Sequence, residues 1–407
     1  MRSLGVLGRA ISLIAAVAVF GTVTVSVPAG AAATYKVGVD LPMSGADASN
    51  GIPTDNGAIL AVEEATAKGL PGGITIQHQV LDDAVQGVHD PAAGAQNIKT
   101  FVADASVMGV VGPFNSNVAR AEIPISNDAG LVQISPSNTN DGLTVGETAK
   151  SLRTSHPDTI AYFRVCTRDH YQGAAGAESA IKLGLKKVYI VDDNETYGKG
   201  LADVFEAAYK AKGGTVLGHD HLTKNQQDFK ALLTKIKATN PSAVFFGGVT
   251  ATGGGLLRKQ MADVGMAKLP YIGGDGISDE EFLKVAGTEA DNSYYTVAAP
   301  DVGMASAQAF NKAYQARFKQ APGAYSASAY AAANVIINAI VEAAKSGSVT
   351  RAAVLKNVAA TKNMPSPIGP VAFDANGDTT NGVISFYKIS GAPPKAAYLN
   401  SVSIAKL

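Results

Sequence analysis

The sequence predicts an α/β protein made of two doubly wound parallel-sheet lobes joined by a three-segment hinge. Three observations carry that reading. Short apolar runs with strand spacing alternate with helix-period patterns along most of the chain. The length beyond residue 33 exceeds what one hydrophobic core organises, which gives two domains. The last third holds helices but few strands, so it completes layers begun earlier.

In the first series, Val37, Val39 and Leu41 open a strand, and a helix follows from about Pro53 to Lys68, stopped by Gly69. A strand from Ile74 to Leu81 ends in Asp82-Asp83, and a helix through Ile98 and Phe101 leads to the strand Val107 to Val111. A helix from Ser116 and a short strand Leu131 to Ile134 close the unit. Four such steps imply a parallel sheet covered on both faces. The second series starts after Tyr162. Its strands lie near Val188 to Val191, Thr215 to Gly218, Val244 to Phe246 and Tyr271 to Ile272, with helices at Gly198 to Lys212, Asp228 to Ala238 and Gly255 to Val264. Helices near Ala307 to Lys319 and Ala327 to Lys345 then return to the first lobe. A single strand, Val383 to Ile389, goes back to the second. The chain is expected to cross between lobes near 165, 300 and 380. The first lobe is 34–165 plus 300–380, and the second is 166–299 plus 381–407.

Residues 1–33 have a different character. Arg2 and Arg9 precede an almost uncharged apolar run from Ala10 to Val27, which relaxes into Ala29-Gly30-Ala31-Ala32-Ala33. That is the pattern of a signal peptide cleaved near Ala33. The run is short for a membrane anchor, and no cysteine near the site could carry a lipid. No second apolar stretch is read as long enough to span a bilayer. A soluble protein of the periplasm is the expectation.

Composition narrows the function. The chain is 46% hydrophobic and 17% charged with zero net charge, near −2 once the leader is removed. No basic patch suggests a nucleic-acid or anionic-membrane partner. Cys166, the single cysteine, cannot form an internal disulfide and reads as core packing. The glycine-rich stretch Gly247 to Gly255 follows a strand, yet it lacks the dinucleotide and P-loop spacings. No nucleophile elbow occurs. Among six histidines only His219-x-His221 has a suggestive spacing, and alternation along a solvated strand face explains it without a metal. No cofactor is expected, and no catalytic residue.

What remains is polar residues at the carboxyl ends of strands, where open α/β sheets bind ligands. Gly112-Pro113-Phe114-Asn115-Ser116-Asn117 and Ser135-Pro136-Ser137-Asn138-Thr139 offer hydroxyls and backbone N–H groups suited to a carboxylate, although helix capping accounts for either. From the other lobe, Gly273-Gly274-Asp275-Gly276 presents a carboxylate suited to an ammonium, although turn formation accounts for that Asp too.

These pieces, taken in order, resemble a known family. Val37-Gly38-Val39 with Pro42-Met43-Ser44-Gly45, Asp82-Asp83, and Val111-Gly112 with Ser116 come first. Ile134-Ser135-Pro136, Arg164 with Asp169 and Gln172-Gly173, and Tyr197-Gly198-Lys199-Gly200 follow. Gly369-Pro370-Val371-Ala372-Phe373-Asp374 with Gly377-Asp378 ends the series. Over nearly all the chain beyond the leader, this looks like the leucine/isoleucine/valine-binding proteins, type I periplasmic receptors of ABC transporters. The resemblance implies that Ser116, Ser137 and Thr139 hold a ligand α-carboxylate, that Asp275 meets its ammonium, and that Tyr197 lines the cleft. It also marks departures. Val249 stands for a Tyr that serves the ammonium, Asn50 for a cleft aromatic, and Asp275 for a Glu one methylene longer. Asn115 and Val85 occupy positions where some members have a disulfide.

The implied function is non-enzymatic: a monomer whose lobes close on an amino acid, branched-chain or related, and deliver it to a permease in the inner membrane. A receptor for an amide, urea or organic acid, and a sensory binding protein, stay open as alternatives. Asp275 separates the first of these, because a plain acid has no cation to offer it.

Overall fold

The computed structural model describes residues 33–407. The leader expected over residues 1–33 lies outside the described residues except for Ala33. In chain order, β1 (Thr34–Leu41), α1 (Ala48–Lys68) and β2 (Thr75–Asp82) lead to a minimal hairpin of β3 (Ala84–Val85) and β4 (Val88–His89). Then come α2 (Pro91–Ala103), β5 (Val107–Val111), α3 (Ser116–Asp128), β6 (Val132–Ser135), the short α4 (Gly146–Ser151) and β7 (Tyr162–Arg164). Strands β2-β1-β5-β6-β7 form one sheet, parallel throughout. All five residues of β5 are buried, as expected of a central parallel strand covered on both faces.

The second sheet is built from α5 (Asp169–Lys182), β8 (Lys187–Asp192), α6 (Thr196–Ala211), β9 (Thr215–His221), α7 (Lys230–Ala238), β10 (Ala243–Gly247), α8 (Gly255–Gln260), β11 (Tyr271–Gly273), α9 (Glu280–Ala286) and β12 (Ser293–Val297). After it, α10 (Gln308–Phe318), α11 (Ser326–Lys345) and α12 (Arg351–Ala359) precede β13 (Val383–Ser390) and β14 (Lys395–Ser403). The strand order is β14-β13-β12-β11-β10-β8-β9, parallel except for the antiparallel pairs made by β13.

Helices α10 and α11 pack on α1, and α11 also covers β5. The close approach of α1 to α11 depends on Gly57, where a Cβ would sit 2.0 Å from the Ser326 carbonyl oxygen. Helix α11 is apolar and long enough to cross a membrane by composition alone, contrary to the sequence expectation. It is instead a core helix, buried along most of its length.

Several other expectations need correction. The first sheet gains a fifth strand, β7, after Leu131 to Ile134. Strand β12 and helix α12 were not anticipated. The tail holds two strands rather than one, because β13 turns back through β14. Helix α8 ends at Gln260 rather than Val264, after a five-residue π turn, Thr250–Gly254, in which Gly253 has φ +129. Cys166 is buried as expected, and its thiol donates to the Asn138 carbonyl at 3.2 Å.

Candidate ligand-binding site

The first-lobe half of the site hangs from the ends of β5 and β6. Gly112 turns the chain out of β5 at φ +126, where a Cβ would lie 2.2 Å from the Asp40 carbonyl oxygen, so no larger residue fits. Asn115 precedes α3, but its side chain makes no capping bond, and its buried Oδ1 has no partner. The capping explanation therefore does not account for it. Ser116, the first residue of α3, accepts the Asn140 N–H at 3.4 Å. Ser137 donates its hydroxyl to the Phe114 carbonyl at 2.9 Å and its N–H to Ser135 Oγ at 3.2 Å, so both its donors are already used inside the loops. Thr139 has a buried hydroxyl with no partner, while its carbonyl accepts the Asp169 N–H at 2.7 Å.

Arg164 holds this loop in place. Its guanidinium is fully buried, donates to the Asn138 and Asn140 carbonyls at 2.9 Å each, and pairs with Asp378 at 2.6 Å. Thr139 is thus fixed between two carbonyls that the same cation grips.

The second-lobe half centres on Asp275, which opens a 3₁₀ turn at the end of β11. Its Oδ1 accepts from Gln172 Nε2 at 2.5 Å and from the Tyr197 hydroxyl at 3.2 Å, and that hydroxyl in turn accepts the Gly276 N–H at 3.2 Å. Burial pushes the Asp275 carboxyl up to about 6, against the lowering effect of these bonds. Asp169, at the start of α5, is also buried, with neither carboxyl oxygen bonded. Burial lifts it well above the usual carboxylate range, and the charges of Asp141 and Asp275 add to this. Neither acid pairs with a cationic side chain among the described residues, and nearby Arg164 is tied to Asp378. Tyr325, stacked edge-on against Phe114 with centroids 5.7 Å apart, lies near Asp275, and its buried hydroxyl has no partner.

Val249 is buried in the cluster that holds Tyr197 and Ile272, and its backbone lies against Gly276. Asn50, on α1, donates to Asp279 Oδ2 at 3.2 Å, an oxygen that also accepts the Thr250 hydroxyl at 2.8 Å. Other contacts between the two sheets' elements lie alongside. His89 Nε2 meets Glu195 at 2.7 Å, Asn117 donates to the same Glu195 oxygen at 3.0 Å, and Asn140 donates to the Thr196 carbonyl at 2.7 Å. Val85, paired in expectation with Asn115, is half exposed on the hairpin. A cavity of about 860 Å³ opens beside these contacts, lined by His89, Asp193, Glu195, His221 and Thr250 among others, and none of Ser116, Ser137, Thr139, Tyr197 or Asp275 reaches it.

The structure therefore gathers Thr139, Tyr197 and Asp275 with three residues not singled out as site residues: Asp169, Gln172 and Tyr325. The first two belong to the ordered motif series quoted from the sequence, which was the available signal. Nothing local marks Tyr325.

Two doubly wound sheets with hydroxyls, acids and a helix N-terminus converging from their strand ends define a two-lobed binding protein of the type I periplasmic class. The chain belongs to the periplasmic binding protein family, whose model matches residues 34–393. It is 34% identical over 361 residues to the Leu/Ile/Val-binding protein BraC3 of Rhizobium johnstonii, covering 88% of this chain and 92% of that protein. The branched-chain amino acid transporter substrate-binding protein LivJ of Streptococcus pneumoniae, solved with isoleucine, shares 29% identity with a TM-score of 0.78 and covers 91% of this chain and 99% of that one. The leucine-binding protein LivK of Thermotoga maritima has a TM-score of 0.80 at 23% identity, covering 92% of this chain and all of its own, a likeness of fold.

Proposed function

We propose that the protein is the extracytoplasmic solute-binding component of an ABC transporter. Its ligand is an amino acid, branched-chain or related, held by its ammonium and carboxylate groups between the lobes. One observation carries this reading: two buried acids, Asp169 and Asp275, sit near each other with no cationic partner among the described residues. Burying carboxylates without a cation is costly, so a ligand ammonium would be strongly favoured there. An amide, urea or plain organic acid brings no such charge. The Thr139 hydroxyl and the N-terminus of α3 at Ser116 supply donors for the ligand carboxylate. Relatives named as Leu/Ile/Val-binding proteins support the same class of ligand.

The ligand is held by groups from both lobes, so closure about the hinge segments near 165, 300 and 380 makes the full set of bonds, and ligand binding favours the closed form. The permease of an inner-membrane transporter then recognises the closed protein in the periplasm, after removal of the leader near Ala33. No bond is made or broken in the ligand.

The test is thermal unfolding of the ligand-stripped protein against the common amino acids, acetamide, urea and simple organic acids. A ligand at about 100 times its Kd adds roughly 2.7 kcal/mol, which shifts the midpoint by several degrees. Stabilisation by one or a few amino acids, lost in Asp275→Asn, supports the reading. Stabilisation by amine-free acids alone overturns it.

A further inference from the structure

A second cluster of chemistry-bearing residues lies outside the amino-acid site. Strand β9 is the outer strand of the second sheet, and His219 and His221, two residues apart, present their rings to one face. The parallel register sets Asp192, the last residue of β8, opposite His221. Asp192 is wholly buried, and its carboxylate meets both rings: His219 Nε2 at 2.7 Å and His221 Nδ1 at 2.8 Å. The donor atoms of the three residues all lie within 4.8 Å of one another. The other nitrogen of His219, Nδ1, lies 2.7 Å from Glu206 Oε2 on α6.

We propose that Asp192, His219 and His221 form a binding site for a divalent transition ion of the zinc type, with Glu206 as the group that orients His219. Two imidazoles and a carboxylate are a donor set that suits zinc. A tetrahedral ion with bonds of about 2.0–2.2 Å needs its ligand atoms about 3.3 Å apart. The 2.7 and 2.8 Å contacts of His219 and His221 with Asp192 must lengthen by about 0.5 Å to reach that spacing, and the whole set already lies within 4.8 Å. Glu206 accepts from Nδ1–H and so leaves the Nε2 lone pair of His219 for the metal, the arrangement in which an outer carboxylate fixes the tautomer of a ligating histidine. Three protein ligands leave a fourth position open. His221 is the exposed member and lines the 860 Å³ cavity between the lobes, so that position faces the cavity.

The competing account is a plain ion-paired cluster, in which protonated rings donate to Asp192 and Glu206 and no metal enters. The sequence could not separate these, because it showed the His-x-His spacing without the carboxylate beneath it. This inference does not rest on the amino-acid site, which shares none of its residues.

The experiment uses the protein without a polyhistidine tag, treated with chelator and titrated with Zn²⁺ at neutral pH against a chromophoric competitor. Co²⁺ loading, followed by its visible absorption, runs in parallel. One Zn²⁺ per chain and Co²⁺ bands typical of four-coordination are expected. His221→Ala, at the exposed position, abolishes both while keeping the unfolding midpoint of the metal-free protein. Glu206→Gln weakens Zn²⁺ binding about 10- to 100-fold. His170→Ala, an exposed histidine elsewhere, leaves it unchanged. Absence of saturable uptake by the unmodified protein, or equal uptake by His221→Ala, overturns the proposal.

Discussion

Replacing Asp275 with Asn should raise the stability of the ligand-free protein while destroying its affinity for the ligand. Asn has the same shape, and its Oδ1 still accepts from Gln172 and Tyr197, so packing is kept. What disappears is a buried charge. Burial lifts the Asp275 carboxyl from 3.8 to about 6 in the folded protein. At about 1.4 kcal/mol per pH unit, keeping it ionised in the fold costs about 3 kcal/mol. The folded chain retains a proton that the unfolded chain releases between 3.8 and about 6, so wild-type stability falls relative to the variant as pH rises through that window. Below 3.8 the two proteins match, and above about 6 the Asn variant leads by up to about 3 kcal/mol. Binding moves the other way. Removing one partner of a buried charge pair costs about 2–5 kcal/mol, or roughly 30- to 4,000-fold in Kd. Denaturant unfolding of both proteins across this pH range, with calorimetric titration of the amino acid found in the screen, reads both effects. A variant less stable than wild type above pH 6, or one that binds as tightly, would show that Asp275 is only a turn former.

Four further outcomes follow from other parts of the fold. Tyr325→Phe removes a buried hydroxyl beside Asp275, so calorimetry should show affinity reduced about tenfold with the unfolding midpoint nearly unchanged. Arg164→Leu leaves the buried Asp378 with only Arg168, at 3.2 Å, as a cationic partner and strips the Asn138 and Asn140 carbonyls of their donor, so it should cost about 3–5 kcal/mol in denaturant unfolding. Burial alone would lower the His89 pKa, but its bonds to Asp47 and Glu195 outweigh this and raise it well above 6.5. Its contribution to stability is therefore complete below 6.5 and is lost as pH rises through the raised value. In Glu195→Gln that loss should be smaller and complete at lower pH, which unfolding at stepped pH would reveal. Gly57→Ala drives a methyl into the Ser326 carbonyl and should cost about 1–3 kcal/mol or more, read as a lowered Tm.

Strands buried on both faces were legible because burial demands a continuous apolar run, as in Val107 to Val111. The elements that escaped are those whose residues carry no such demand. Strand β14 is exposed along most of its length at the sheet edge and has no strong alternation, and β7 is three residues long. The sequence by itself determined the two-lobed α/β class and, by their position just after strands, marked Ser116, Thr139 and Asp275 as candidates, because strand periodicity and strand-end loops are local properties. Only the tertiary structure decided that Ser137 spends both donors inside its own loops, and that Asp169, Gln172 and Tyr325 meet around Asp275. It also decided that Asp192 lies under His219 and His221. Each of those facts is a distance between residues far apart in the chain, fixed by sheet register and by helices packed across it, and no local pattern encodes it.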